Sequence, residues 1–90
     1  MIKKNTVSLA KLGTNRSGKV VEFTAGPGLV RRLEEMGIRA GKEITKISGM
    51  PLRGPVVIQA GGTRIAIGHG MAMKVIVELS PAYGGANVKK

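Results

Sequence analysis

Leu29, Val30, Leu33 and Met36 fall at i, i+1, i+4 and i+7, the spacing of a helix with one buried face. Pro27 suits the first helical position, where its missing N–H would be unpaired in any case. Gly26 or Thr24 stands where a cap belongs. Gly37 supplies a left-handed residue to end the run, which puts Leu33 at C3 and Ile38 at C″, the pair that touches in a Schellman motif. Elsewhere the period shortens. "KVVEF", with Val20, Val21 and Phe23, reads as a strand. "KEITKIS" is another, and the odd spacing of Ile44 and Ile47 implies a bulge. "VVIQA" and "TRIAI" flank Gly61 and Gly62, a two-residue hairpin turn of a primed type. "KVIVEL" alternates Val75, Val77 and Leu79. "TVSLAKLG", with Val7, Leu9 and Leu12, is a short strand or turn, "HGMAM" a helical turn, and "GMPLRGP" (49–55) a loop.

About five short strands, one inserted helix and glycine-rich turns predict a mainly β fold, a small and strongly bent barrel. No repeat or internal boundary interrupts it. The expected organisation is a basic tail over 1–6, the folded domain over 7–79 and a flexible tail over 80–90.

Composition sharpens this picture. Ninety residues make one domain, near the small end of what buries its own core. With no Trp, one Phe (Phe23) and one Tyr (Tyr83), that core must be built from Val, Ile, Leu and Met. The absence of cysteine excludes disulfides, thiolate metal sites and thiol nucleophiles, and fits a reducing compartment. The opening "MIKKNTVSLAKLG" has no continuous apolar stretch of the signal-peptide kind. No apolar run approaches the roughly 18 residues of a membrane span. A soluble cytoplasmic protein is expected.

The net charge of +10 favours anionic partners: nucleic acid, an anionic membrane face or an acidic protein surface. The chain stays basic even without its terminal Lys3, Lys4, Lys89 and Lys90. Arg31, Arg32, Arg39, Lys42, Lys46, Arg53 and Arg64 are spread over helix, strands and loop. Single-strand readers add stacking aromatics to such charge, and this chain has two aromatics in all. Specific nucleic-acid recognition is therefore not expected, although a basic barrel bound through phosphates alone remains the rival reading.

Catalysis has little to build on. One His and five Glu, with no Asp and no Cys, offer no positioned acid–base pair or activated nucleophile. Glu34 and Glu35 are adjacent on the helix and point about 100° apart. "GPGLVRRLEE" lacks the Gly-Lys-Ser/Thr of a phosphate loop. Nor is a metal or cofactor expected. His69 is flanked by glycines, with Met71 and Met73 near, and one imidazole with two thioethers is a poor ferrous set. The plain expectation is that the methionines fill core gaps and His69 is an exposed turn residue.

Two segments carry residues that folding does not require. In "RRLEEMGIRAG", Arg31 and Arg32 precede Glu34 and Glu35, an order that opposes the helix dipole at about 0.3–1 kcal/mol per exposed charge. Pairing of Arg31 with either glutamate recovers only a few tenths of a kcal/mol each. The order suits a mixed-charge face for a protein partner, or else charges free to drift where little is at stake. In loop 49–55, Met50 and Leu52 stand beside Arg53, an apolar pair with a guanidinium, as at interface centres. The alternative is a lid folded back on the core.

The order of the pieces resembles one family. "SLAKL", the helix ending "RRLEEMGIRAG", the Gly-Pro loop, "GGTRIAIG" and the closing "VIVEL" are similar to the ferrous iron transport protein A (FeoA) family over residues 7–79. The most specific part is Leu33, Met36, Gly37, Ile38 and Gly41. Many members carry an acid where Gly54 stands and a charged turn where this chain has "GHGMAM". The resemblance implies an SH3-like barrel and a small non-enzymatic cytoplasmic accessory of ferrous iron uptake. It also implies a partner: the membrane GTPase-permease, ferrous iron transport protein B, whose cytoplasmic part binds GTP. A similar barrel ends certain metal-dependent repressors, so the effector domain of such a repressor is a further alternative, weakened because no DNA-binding helix pair is expected before residue 7.

Overall fold

The computed structural model describes residues 5–49 and 54–80 of the chain. Among the described residues six strands, two helices and one 3-10 turn follow in order. The strands are β1 (Thr6–Ser8), β2 (Ser17–Phe23), β3 (Glu43–Gly49), β4 (Val56–Ala60), β5 (Thr63–Ile67) and β6 (Val75–Leu79). Helix α1 spans Pro27–Glu35 between β2 and β3, and α2 spans His69–Ala72 between β5 and β6. All neighbours are antiparallel in the order β1-β6-β2-β3-β4-β5, so the last strand inserts between the first two.

The sheet curls around one core. Five gaps of ~4.8 Å would hold the edge strands of a flat sheet ~24 Å apart. Here Leu9 beside β1, Val20, Ile44, Val56, Ile58, Ile67, Val75 and Val77 form one contiguous buried cluster. Only a curled sheet lets all of its strands share one core, which is the bent barrel expected. Two register shifts help the bend, between Val20 and Glu22 on β2 and between Lys46 and Ser48 on β3. The second is the bulge that Ile44 and Ile47 implied. β2 and β6 also approach closely at Gly18, where a Cβ would lie 2.9 Å from the Glu78 carbonyl oxygen.

The sixth strand comes from the segment read as strand or turn, and both descriptions hold in part. Thr6–Ser8 pairs with Glu78, Val77 and Ile76, and then Leu9–Lys11 turns as a 3-10 helix. Ser8 Oγ accepts from the Lys11 N–H at 3.3 Å and so caps that turn. Gly61 and Gly62 close β4 onto β5 through the Ala60–Thr63 pair. Only Gly61 of the two has a positive φ, +64°, the first-position glycine of a type II′ turn.

Helix α1 ends as its sequence requires. Gly37 has φ +98°, its N–H donates to the Glu34 carbonyl at 3.0 Å, and the Ile38 N–H donates to the Leu33 carbonyl at 2.9 Å. These are the two bonds of a Schellman motif, and Leu33 and Ile38 are both fully buried. At the other end Gly26 is the cap residue and Pro27 opens the helix. Thr24 is spent elsewhere: its N–H donates to the Lys74 carbonyl at 2.8 Å.

Candidate interaction surface

The four helix charges do not form one patch. At 100° per residue, Arg31 and Glu35 lie about 40° apart on the outermost ridge, while Arg32 and Glu34 fall on opposite flanks. Arg31, Arg32 and Glu35 are exposed and Glu34 is half-buried. The buried stripe opposite contains Leu33, with Leu29 and Met36 packed against the core. Around the exposed half the charges therefore alternate in sign. Met50, Leu52 and Arg53 lie outside the described residues.

Helix α2 connects the two segments singled out from the sequence. The bond from Thr24 to Lys74 ties the entry of α1 to the exit of α2. The Val56–Ile67 pair sets the base of the 49–55 loop beside the residue that precedes α2's cap. Helix α2 thus runs between the entry of α1 and the base of the loop.

Helix α2 and its cap depart from expectation in their methionines and histidine. Met71 packs against the core as a gap-filler would, but Met73 is 49% exposed, the most exposed large apolar side chain among the described residues. A thioether chain held at the surface is an adaptable apolar contact. His69 is half-buried rather than exposed, because it opens α2 and faces partly inward. Its Nδ1 is buried without a hydrogen-bond partner. Among the described residues no group of three or more His, Cys, Asp or Glu side chains is placed to hold a metal.

Lys46, counted among the surface cations from sequence, is instead inside the barrel at 4% exposure. Residues two apart on a strand share a face, so Lys46 follows Ile44 inward until the bulge breaks the alternation. Its Nζ donates to the Ala10 carbonyl at 2.9 Å, satisfying an acceptor left open by the 3-10 turn. Burial pushes the ammonium pKa down, because a charge is poorly solvated there.

On the outer face of β6, β2 and β3 the cross-strand neighbours Glu78, Lys19 and Glu43 alternate in charge. With Arg16 and Ser80 they line an open depression of about 670 Å³. Ser80 Oγ donates to Glu43 Oε2 at 2.8 Å across its floor. Two carboxylates against two cations leave no net field in this hollow. No signal along the chain announces it, since its lining comes from four separated segments.

The comparisons with known proteins can now be set beside this geometry. The model of the FeoA domain matches residues 7–79. A protein of Methanocaldococcus jannaschii that carries the name Fe(2+) transport protein A is 44% identical over 70 residues, 78% of this chain and 82% of its own length. The chain belongs to the FeoA family. A crystal structure of a FeoA described as an iron uptake regulatory protein superposes with a TM-score of 0.79 at 35% identity, covering 83% of this chain and 99% of that one. The FeoA of Stenotrophomonas maltophilia, solved with zinc and described as a prokaryotic SH3 domain protein, gives 0.69 at 30% identity, covering 80% and 89%. The barrel of the present FeoA-family chain is thus SH3-like, and its family is one of ferrous iron transport. No helix among its described residues is long and apolar enough to cross a membrane.

Proposed function

We propose that this FeoA-family chain is a non-enzymatic accessory of ferrous iron uptake that binds the cytoplasmic part of the membrane GTPase-permease, ferrous iron transport protein B. The observation carrying this reading is that α2 links the entry of α1 to the base of the 49–55 loop on an SH3-like barrel. Met73 is exposed on the turn that follows α2, α1 carries the alternating charges Arg31, Arg32, Glu34 and Glu35, and the 49–55 segment carries Met50, Leu52 and Arg53 in its sequence. The arrangement suits an apolar contact with a charged rim, in which the apolar part supplies affinity and the rim sets rate and orientation. It does not suit chemistry, because among the described residues no acid–base pair accompanies it.

The test is a pull-down on the transporter's cytoplasmic domain. Leu52→Asp or Met73→Asp should abolish association while leaving the melting temperature nearly unchanged. The double change of Glu34→Lys and Glu35→Lys should weaken association more modestly and alter its salt dependence. Retention of binding by both apolar variants, with both folded, would move the contact elsewhere.

A further inference from the structure

The far end of the barrel presents a different chemistry. β4 runs from Val56, beside the loop base just described, to Ala60 at the glycine turn, so five-residue strands separate the two ends by ~13–17 Å. Over this second end lies the segment that follows α1, residues 37–42, pinned to the β4–β5 hairpin at two points. A Cβ on Gly37 would lie 3.9 Å from Ile65 Cδ1, and one on Gly61 would lie 3.3 Å from Lys42 Nζ. Between these points Arg39 sits on the segment and Arg64 on the hairpin, and the Lys42 N–H donates to the Arg39 carbonyl at 3.0 Å. Arg39, Lys42 and Arg64 are all exposed.

No acid lies anywhere in residues 36–42 or 54–68. The nearest in sequence, Glu43, accepts the Ser80 hydroxyl on the outer face, and Glu35 stands on the outer ridge of α1. By contrast Lys19 lies between Glu43 and Glu78, and the arginines of α1 alternate with its glutamates. Arg39, Lys42 and Arg64 thus stand together on two segments that hold no acid of their own, with Glu22 of β2 and Glu43 of β3 at the border of the group. Around them Gly41 and Gly62 have nothing within 4 Å of a would-be Cβ, and Ala40 and Ala66 are exposed. The surface is low, basic and without a large apolar wedge.

We propose that this end, through Arg39, Lys42 and Arg64, docks the protein on an anionic phospholipid bilayer by electrostatic attraction to headgroup phosphates. A flat basic end matches a planar array of phosphates, whereas single-stranded nucleic acid is held in a groove with stacking aromatics. Here Phe23 is packed against the core. Docking this way leaves the opposite end free, and it does not depend on any transporter being the partner.

Sedimentation with vesicles of phosphatidylcholine alone, or with phosphatidylglycerol added, tests this directly at low and physiological salt. Wild type should bind only the anionic vesicles, and added salt should weaken it. The triple variant Arg39→Gln, Lys42→Gln, Arg64→Gln should lose about a hundredfold in partition, at roughly fivefold per basic residue. A control with the same charge loss at exposed Lys11, Arg16 and Lys74 should lose far less, and Arg39→Lys with Arg64→Lys should retain binding. Inorganic phosphate at matched ionic strength should not compete, since the array and not the single anion is recognised. Equal loss in the control triple would overturn the assignment in favour of diffuse charge. Wild-type indifference to phosphatidylglycerol, release by inorganic phosphate, or loss of RNA binding with vesicle binding intact in the first triple variant would each overturn it as well.

Discussion

Gly37 and Gly28 stand nine residues apart around one helix, and the same substitution at each should move stability in opposite directions. At Gly37 the backbone has φ +98°, a conformation that L side chains disfavour by about 1–2 kcal/mol. Space is not the obstacle, because a Cβ there would make only an ordinary contact, 3.9 Å from Ile65 Cδ1. Gly37→Ala should therefore cost about 1–2 kcal/mol if the turn holds. Should the turn flip to relieve strain, fully buried Ile38 would be dragged from the core, and the loss would grow toward the ~2–5 kcal/mol of a large core deletion. Gly28 is inside α1, has nothing within 4 Å of a would-be Cβ and no left-handed φ. Gly28→Ala should stabilise, by up to about 0.5–1 kcal/mol, since alanine loses less backbone freedom in a helix. Urea melts of the two variants, compared at unchanged m-value, measure both numbers. A neutral or stabilising Gly37→Ala would refute the assignment of strain to this turn, and a destabilising Gly28→Ala would refute the reading of α1's first turn.

Two further outcomes follow from the core. Leu33→Ala should cost about 2–5 kcal/mol in the same melts, because Leu33 is fully buried at the helix-to-turn lock, and a loss under about 1 kcal/mol would mean the site collapses freely. Lys46 has a folded pKa below its unfolded value, so the unfolded chain holds more protons and stability should rise with pH through the alkaline range up to the unfolded pKa of about 10.4. Lys46→Met should lack that component of the rise in parallel pH–denaturation series, and identical slopes would show that Lys46 is not buried in solution.

The helix was legible because everything that defines it is local: the stripe, Pro27 at the entry, and Gly37 followed by Ile38. The bulge in β3 was legible for a similar reason, since Ile44 and Ile47 cannot share a face of a regular strand. Lys46 was misplaced because residue type argued for the surface, while strand parity from Ile44 argued for the interior and prevailed. β1 was only half visible, since three residues give too short an alternation to separate a strand from a turn. The candidate surfaces were the least legible. Thr24 meets Lys74 across 50 residues, and Gly37 meets Ile65 across the β4–β5 hairpin, pairings that no local pattern encodes. Met73 was expected in the core because methionine usually fills gaps there, and nothing in "HGMAM" tells Met71 from Met73 until α2's inward face is known.

The position of β6 has a consequence for how the chain is made. β6 lies between β1 and β2, pairing Val77 with Val7 on one side and with Val20 on the other. Until it emerges, β1 has no neighbour in the sheet and β2 has only β3, so the first quarter of the chain waits on the last strand. The β3–β4–β5 meander can form as it is synthesised, but closure joins residues some 70 positions apart and should be the late, slow event. Synthesis stalled before Val75 would leave two unpaired β edges and an open core, a species prone to aggregate. For this barrel, nothing upstream can finish folding until β6 has emerged.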